Sequence, residues 1–291
     1  MKLVTFRNGG PPRVGMVVDD QVVDVHEADP SLPAEMTALL AAGPPALAAV
    51  RRAADTARRR LPLAGVKLAA PVLRPPKFFG VGLNYADHVR ETGAKTPEIP
   101  IIFNKQSTCV TGPHDPVHLP RASQVLDYEG ELAFVIGRRC RHVPRDRARE
   151  VIAGYTVCND VSVRDWQMRV PTMTMGKSFD THGPLGPCLV TADELDDPHS
   201  LRLRTWVSGD LRQDSNTKEL IFDCFALVEH LTTAFTLEPG DVVTTGTPSG
   251  VGIASKPPRL LSAGDVVRIE IEGIGRIENP VIPEPTDTDL I

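Results

Sequence analysis

From Phe78 onward, glycine and proline recur so closely that few apolar stretches between them are long enough for an ordinary helix. A chain punctuated in this way folds mainly into short strands joined by tight turns. Two segments make the pattern explicit. The runs 237–243 and 261–267 repeat one design, in which a Gly-Asp turn feeds a β-branched strand. Helical spacing is confined to a few places, notably 145–152 and 220–234. With 291 residues, of which 41 % are hydrophobic, the chain can still bury a sizeable core. The fold class expected is α+β with a mainly β catalytic core.

The first 70 residues read differently. Strands over 2–7 and 13–18 flank the turn Gly9-Gly10-Pro11-Pro12, and a third is expected over 21–25. A helix follows, with Ser31 as its N-cap, Pro33 in its first turn and Gly43 at its end. A second helix is expected over 46–60, where Leu47, Val50, Ala54 and Ala57 recur at helical spacing. The prolines of 71–76 separate this unit from the rest. The boundary is placed near Ala70, giving a small N-terminal α+β domain over 1–70 and a catalytic domain over 71–291. The tail 280–291, Pro-rich and acidic, reads as loosely attached.

Composition excludes several functions. A net charge of −5 argues against a nucleic-acid partner. No apolar run approaches the roughly 20 residues that span a bilayer, so no membrane partner is expected. The start MKLVTFRNGG has no apolar signal segment. Five cysteines, an odd number without a C-x-x-C pair, make a disulfide framework or a zinc site a poor fit and a reducing cytoplasm a good one.

Chemistry enters at Glu129-Gly130-Glu131. The run 129–137 reads as a strand, where side chains two apart share a face. Glu129 and Glu131 therefore point together, continued by Ala133 and Val135, while Leu132, Phe134 and Ile136 line the other face. Two adjacent carboxylates in a strand apolar on both sides repel each other, and a divalent cation removes the conflict. Gly130 between them allows a close approach to the backbone. A third carboxylate, Asp160, ends the strand 155–160. Three carboxylates without paired His or Cys suit a hard ion such as Mg²⁺ or Mn²⁺. The same spacing is compatible with exposed acids at strand ends.

A second constellation lies at 84–93. The run reads as a short helix capped by Asn84 and ended by Gly93, with His88 and Glu91 on one face. A carboxylate beside an imidazole fixes its tautomer and raises its basicity, as a general base requires. Flanking Gly and Pro allow the segment to act as a lid, although a plain surface helix gives the same pattern. Two glycine motifs fail as nucleotide sites. Gly80-Val-Gly-Leu-Asn-Tyr85 lacks the third glycine of a dinucleotide fingerprint, and Gly246-Thr-Pro-Ser-Gly-Val-Gly252 has no lysine after it. The latter can still offer Thr247 and backbone N–H groups to a carboxylate. The arginines of 138–149 are interleaved with acids and read as a solvated surface.

Taken in order, these segments, together with Asp127-Tyr-Glu-Gly-Glu-Leu-Ala133, Gly154 to Asp165, Gly176-Lys-Ser-Phe-Asp180 and Gly183-Pro-Leu-Gly-Pro187, resemble the fumarylacetoacetate hydrolase family over roughly 78–280. The resemblance implies a mixed β-sandwich roll and a homodimer. It implies Glu129, Glu131 and Asp160 as ligands of Mg²⁺ (or Mn²⁺), and His88 with Glu91 as a water-activating pair. It implies Lys177 beside developing negative charge, and Arg164, Gln167 and Thr247 at the substrate's carboxylate. The activity expected is hydrolysis of a C–C bond in an acylpyruvate-type 2-oxo acid. The alternatives are an oxaloacetate-type decarboxylase, a 2-hydroxydienedioate isomerase, or a 2-oxo acid binding protein without catalysis. The segment 166–175, with Met168, Arg169, Met173 and Met175, adjoins this site, either as a specificity wall or as packing.

Overall fold

The computed structural model describes residues 1–288. Two β-sheets face each other. The main path of the larger one runs Leu61–Pro62, Gln21–Asp24, Arg13–Val18, Lys2–Arg7, Gly183–Thr191, Ile152–Asn159, Gly130–Ile136, Val242–Thr244, Phe78–Gly82 and Ile101–Lys105. The smaller runs Asp210–Asn216, Arg202–Val207, Val266–Ile271, Gly275–Pro283 and Val117–Leu119. This is the expected α+β class with a β-sandwich at its centre.

The Gly130–Ile136 strand shows why the sandwich forms. Every residue in it is buried. Leu132, Phe134 and Ile136 pack with Leu203, Ile269 and Ile277 of the smaller sheet. On the other face, Ala133 and Val135 join a core with Leu39, Leu40 and Val50 from the N-terminal helices. A strand covered on both sides has no use for polar alternation. Gly130 fits this arrangement, because a Cβ there would lie 2.3 Å from Thr205 Oγ1 of the facing sheet. The strands of 1–70 continue the large sheet through pairing of Lys2–Arg7 with Gly183–Thr191. The repeated Gly-Asp turns form as expected: Gly240 and Gly264 hold φ of 88° and 97° and lead into Val242–Thr244 and Val266–Ile271.

Several local expectations change. Glu35, not Ser31, caps the Met36–Ala41 helix, accepting from the N–H groups of Thr37 and Ala38. Ser31 instead bonds the Asp29 carboxylate in a turn. Gly43 opens the next helix, Gly43–Thr56, rather than only closing the previous one, and this helix ends before Arg58. Asn84 does not cap the Ala86–Thr92 helix. Its amide is drawn into the body of the protein, donating to the carbonyls of Phe222 and Thr245 and accepting from Phe222 N–H. Residues 145–150 form a 3₁₀ turn, and the later helix is Cys224–Ala234 with Asp223 as its cap. In the segment expected to be loosely attached, Pro280 to Pro283 complete the Gly275–Pro283 strand, while 289–291 lie outside the described residues.

Candidate active site

The register between Gly130–Ile136 and Ile152–Asn159 brings the three carboxylates together. Gly130 pairs with Asn159 and Glu131 with Cys158. One step beyond the ladder, Asp160 N–H donates to Glu129 O at 2.9 Å. Glu129, Glu131 and Asp160 thus offer carboxylate oxygens that all lie within 4.8 Å of one another, and all three residues are buried.

Two ammonium groups meet them. Lys177 Nζ bonds Glu129 Oε2 and lies 2.8 Å from Asp160 Oδ2. Lys105 Nζ lies 2.6 Å from Asp160 Oδ1 and also donates to the carbonyls of Lys177 and His182. Arg164 adds a guanidinium, 2.6 Å from Glu129 Oε1 through Nη1 and 2.8 Å from Asp127 Oδ2 through Nη2. Burial works against the charge on Glu129, but Arg164 and Lys177 outweigh it and hold its carboxyl down at about 2. Glu131 goes the other way. Burial, then Asp160 and Glu129, push it well above the ordinary range.

This imbalance is the test of a metal. Four acids, Asp127 included, face two lysines and one arginine, and the carboxylate with no cation bonded to it is Glu131, whose hydrogen-bond partners include Gly246 N–H at 2.8 Å. An all-oxygen donor set with an uncompensated buried carboxylate fits a hard divalent cation. Glu129, Glu131 and Asp160 are the residues that would hold it.

These side chains open onto a cavity of about 210 Å³. Its polar wall includes Glu129, Glu131, Lys177, Arg164, Gln167 and Thr247; His88 also lines it. Glu91 and Asp160 stand directly behind, Glu91 bonding His88 Nδ1 at 3.0 Å. All nine residues singled out from the sequence therefore converge on one place. Their polar atoms are not equally free. Arg164 is engaged by Asp127, Glu129 and Gln167. Thr247 donates to Gly130 O and accepts from Gln213 Nε2. Gln167 Nε2 has only a 3.6 Å contact to Met173 Sδ, a weak acceptor.

The loop 246–252 does give its N–H groups to carboxylates, and these belong to the protein itself: Gly246 bonds Glu131, Gly250 bonds Glu91, and Gly252 bonds Asp127, each at 2.8 Å. One loop thus braces the acid triad, the histidine's partner and the arginine's partner at once. Gly246 and Gly250 hold φ of 97° and 102°, where a side chain would strain the backbone.

Lys105, Asp127 and Gln213 were not singled out from the sequence. For Lys105 a signal existed. Ile101, Phe103 and Lys105 alternate along one strand, and an apolar row that ends in lysine marks an inward-facing cation.

The chain is similar to several known proteins. Residues 77–282 match the C-terminal domain family of fumarylacetoacetate hydrolase. The mitochondrial oxaloacetate tautomerase of Xenopus laevis is 44 % identical over 288 residues, covering 97 % of this chain and 90 % of that protein. The maleylpyruvate hydrolase of Sphingobium sp. SYK-6, solved with manganese(II) and pyruvate, superposes with a TM-score of 0.83 at 33 % identity, over 98 % of this chain and 100 % of that one. The 2-hydroxyhepta-2,4-diene-1,7-dioate isomerase of Mycobacterium marinum gives 0.77 at 34 % identity with the same coverage. No helix among the described residues is long and apolar enough to cross a membrane. The tautomerase relative is mitochondrial, so the similarity lends no support to the expected cytoplasmic location. By the matched domain and by these relatives, the chain belongs to the fumarylacetoacetate hydrolase family.

Proposed function

We propose that the protein is a divalent-metal-dependent tautomerase that interconverts the keto and enol forms of a small 2-oxo acid such as oxaloacetate. This departs from the acylpyruvate hydrolysis expected from the sequence. It lies nearer the isomerase alternative. The observation that carries it is the meeting, in one cavity, of a buried ammonium, an acid triad and a carboxylate-braced imidazole. Enolisation needs these groups and no more: a base for the C3 proton, and positive charge beside the C2 oxygen. The 44 % identity to an oxaloacetate tautomerase supports the same reading.

A bound Mg²⁺ or Mn²⁺ supplies Lewis-acid polarisation of the 2-oxo group. The chain's own residues do the rest. With Nδ1–H given to Glu91, the other ring nitrogen of His88 carries the lone pair. It takes the C3 proton in the keto-to-enol direction, the enolate oxygen on C2 then takes a proton from solvent while His88 gives its own to solvent, and both transfers run backwards in reverse. Lys177 stands beside the oxygen on which charge collects. Gln167 offers its amide to the substrate.

Acylpyruvate hydrolysis remains the second reading, favoured by the His88–Glu91 pair and by the likeness to the maleylpyruvate hydrolase. The deciding experiment follows the ultraviolet absorbance of enol-oxaloacetate with protein and Mg²⁺, and in parallel pyruvate release from acetylpyruvate. Enol decay no faster than the buffer rate would sink the tautomerase, and rapid pyruvate release would then establish the hydrolase.

A further inference from the structure

The cavity has a second wall of a different kind. The Phe78–Gly82 and Ile101–Lys105 strands pair antiparallel, Gly80 opposite Phe103 and Gly82 opposite Ile101. The two glycines that began a failed nucleotide motif are occupied by their neighbours. A Cβ on Gly80 would lie 2.2 Å from Phe103 Cζ, and one on Gly82 would lie 3.5 Å from Ile101 Cγ2. Phe103 and Ile101 therefore fold across bare backbone and face the cavity together with Val81. Leu83 and Met173 complete this wall, and both hold left-handed backbones, at φ of 52° and 57°. Two non-glycine residues kept in that region beside one cavity indicate that the side chains are held there at a cost.

Lys177 Nζ lies 5.0 Å from the centre of the Phe103 ring, but its hydrogen bonds go to Glu129 and Asp160. Among the described residues that line the cavity, the lysine and arginine groups are Lys177 and Arg164, and both are already bound to carboxylates. A 2-oxo acid anchored at the acid triad can lay its C4 carboxylate against the Gln167 amide. A carboxylate carried two or more carbons further leaves that donor and meets Leu83, Ile101 and Phe103. Such a charge gives up part of its water against that wall and finds no cation that is free of a carboxylate.

Resting on the reading above, we infer that this apolar wall is a charge filter: the protein takes four-carbon 2-oxo acids and longer ones with uncharged tails, and rejects those with a distal carboxylate. The wall would then separate it from enzymes acting on seven-carbon dioates.

Binding tests this independently of turnover. Calorimetric affinities are measured with Mg²⁺ for 2-oxoadipate and for 6-methyl-2-oxoheptanoate, which has the same shape with an isopropyl group in place of the distal carboxylate. The uncharged compound should bind at least about 100-fold more tightly, the scale on which a pocket rejects a poorly matched ligand. Ile101→Arg, at a position 37 % exposed and therefore tolerant of a long side chain, should narrow that ratio by at least about tenfold. Met173→Arg provides a second variant on the facing segment. Equal affinities in the unaltered protein, or a ratio unchanged in both variants, overturns the inference. Neither outcome depends on whether oxaloacetate is tautomerised, which the enol assay decides separately.

Discussion

Lys105 Nζ lies 2.6 Å from Asp160 Oδ1, with both side chains wholly out of solvent. The pair fixes one oxygen of an acid whose other oxygen faces Lys177. Breaking a buried pair leaves an uncompensated charge, at a cost of about 3–5 kcal/mol. Lys105→Met should therefore lower thermal stability without metal by that order. A divalent ion then takes over compensation of Asp160, so saturating Mg²⁺ should raise Tm more in the variant than in the unaltered protein. An equal rise in both would show that Lys105 and the ion do not share this site.

Glu131 is the acid left without an ammonium. Glu131→Gln removes a repelling charge, so stability without metal should hold or increase. Affinity for Mg²⁺ should fall at least about tenfold, as the loss of about 1.4 kcal/mol in one ligand contact implies. Turnover should be lost. Calorimetry and activity in excess chelator check both halves, and full activity with EDTA would remove the metal from the mechanism.

His88 sits on a helix separate from the strands that carry the triad. His88→Ala should slow tautomerisation by about 10²–10⁴-fold, the usual contribution of a general base, and leave Mg²⁺ affinity unchanged. Glu91→Gln should have a smaller effect in the same direction. A retained rate in His88→Ala, measured by enol decay, would pass the proton transfer to another group.

Gly80→Ala places a methyl group into the Phe103 ring. Overpacking of this kind costs about 1–3 kcal/mol. Urea unfolding should show that loss, and KM should rise because the ring is displaced along the cavity wall. An unchanged unfolding midpoint would mean that the ring swings aside freely.

What the sequence disclosed follows from the range of the interactions involved. Glu129, Glu131 and Asp160 could be grouped because two-residue alternation and strand pairing are regular, and the ladder did bring them within 4.8 Å. His88 and Glu91 were legible from one helical turn. Lys105 was not singled out, because its partners Asp160 and His182 are 55 and 77 residues away. Asn84 misled for the same reason. Its local capping tendency lost to carbonyls more than a hundred residues distant. The loop 246–252 showed its glycines but not their targets, which are acids on three other segments.

The carboxylate triad stands at the middle of the large sheet, whereas Ile101 and Phe103 belong to its outermost strand. Central strands tolerate little change, because each substitution disturbs neighbours on both sides. A border strand is freer to vary. Mutation can therefore reshape the cavity's tail-facing side over generations while the ion-holding acids stay in place. Such a division lets one ancestral scaffold diversify its range of reactants without first losing its chemistry.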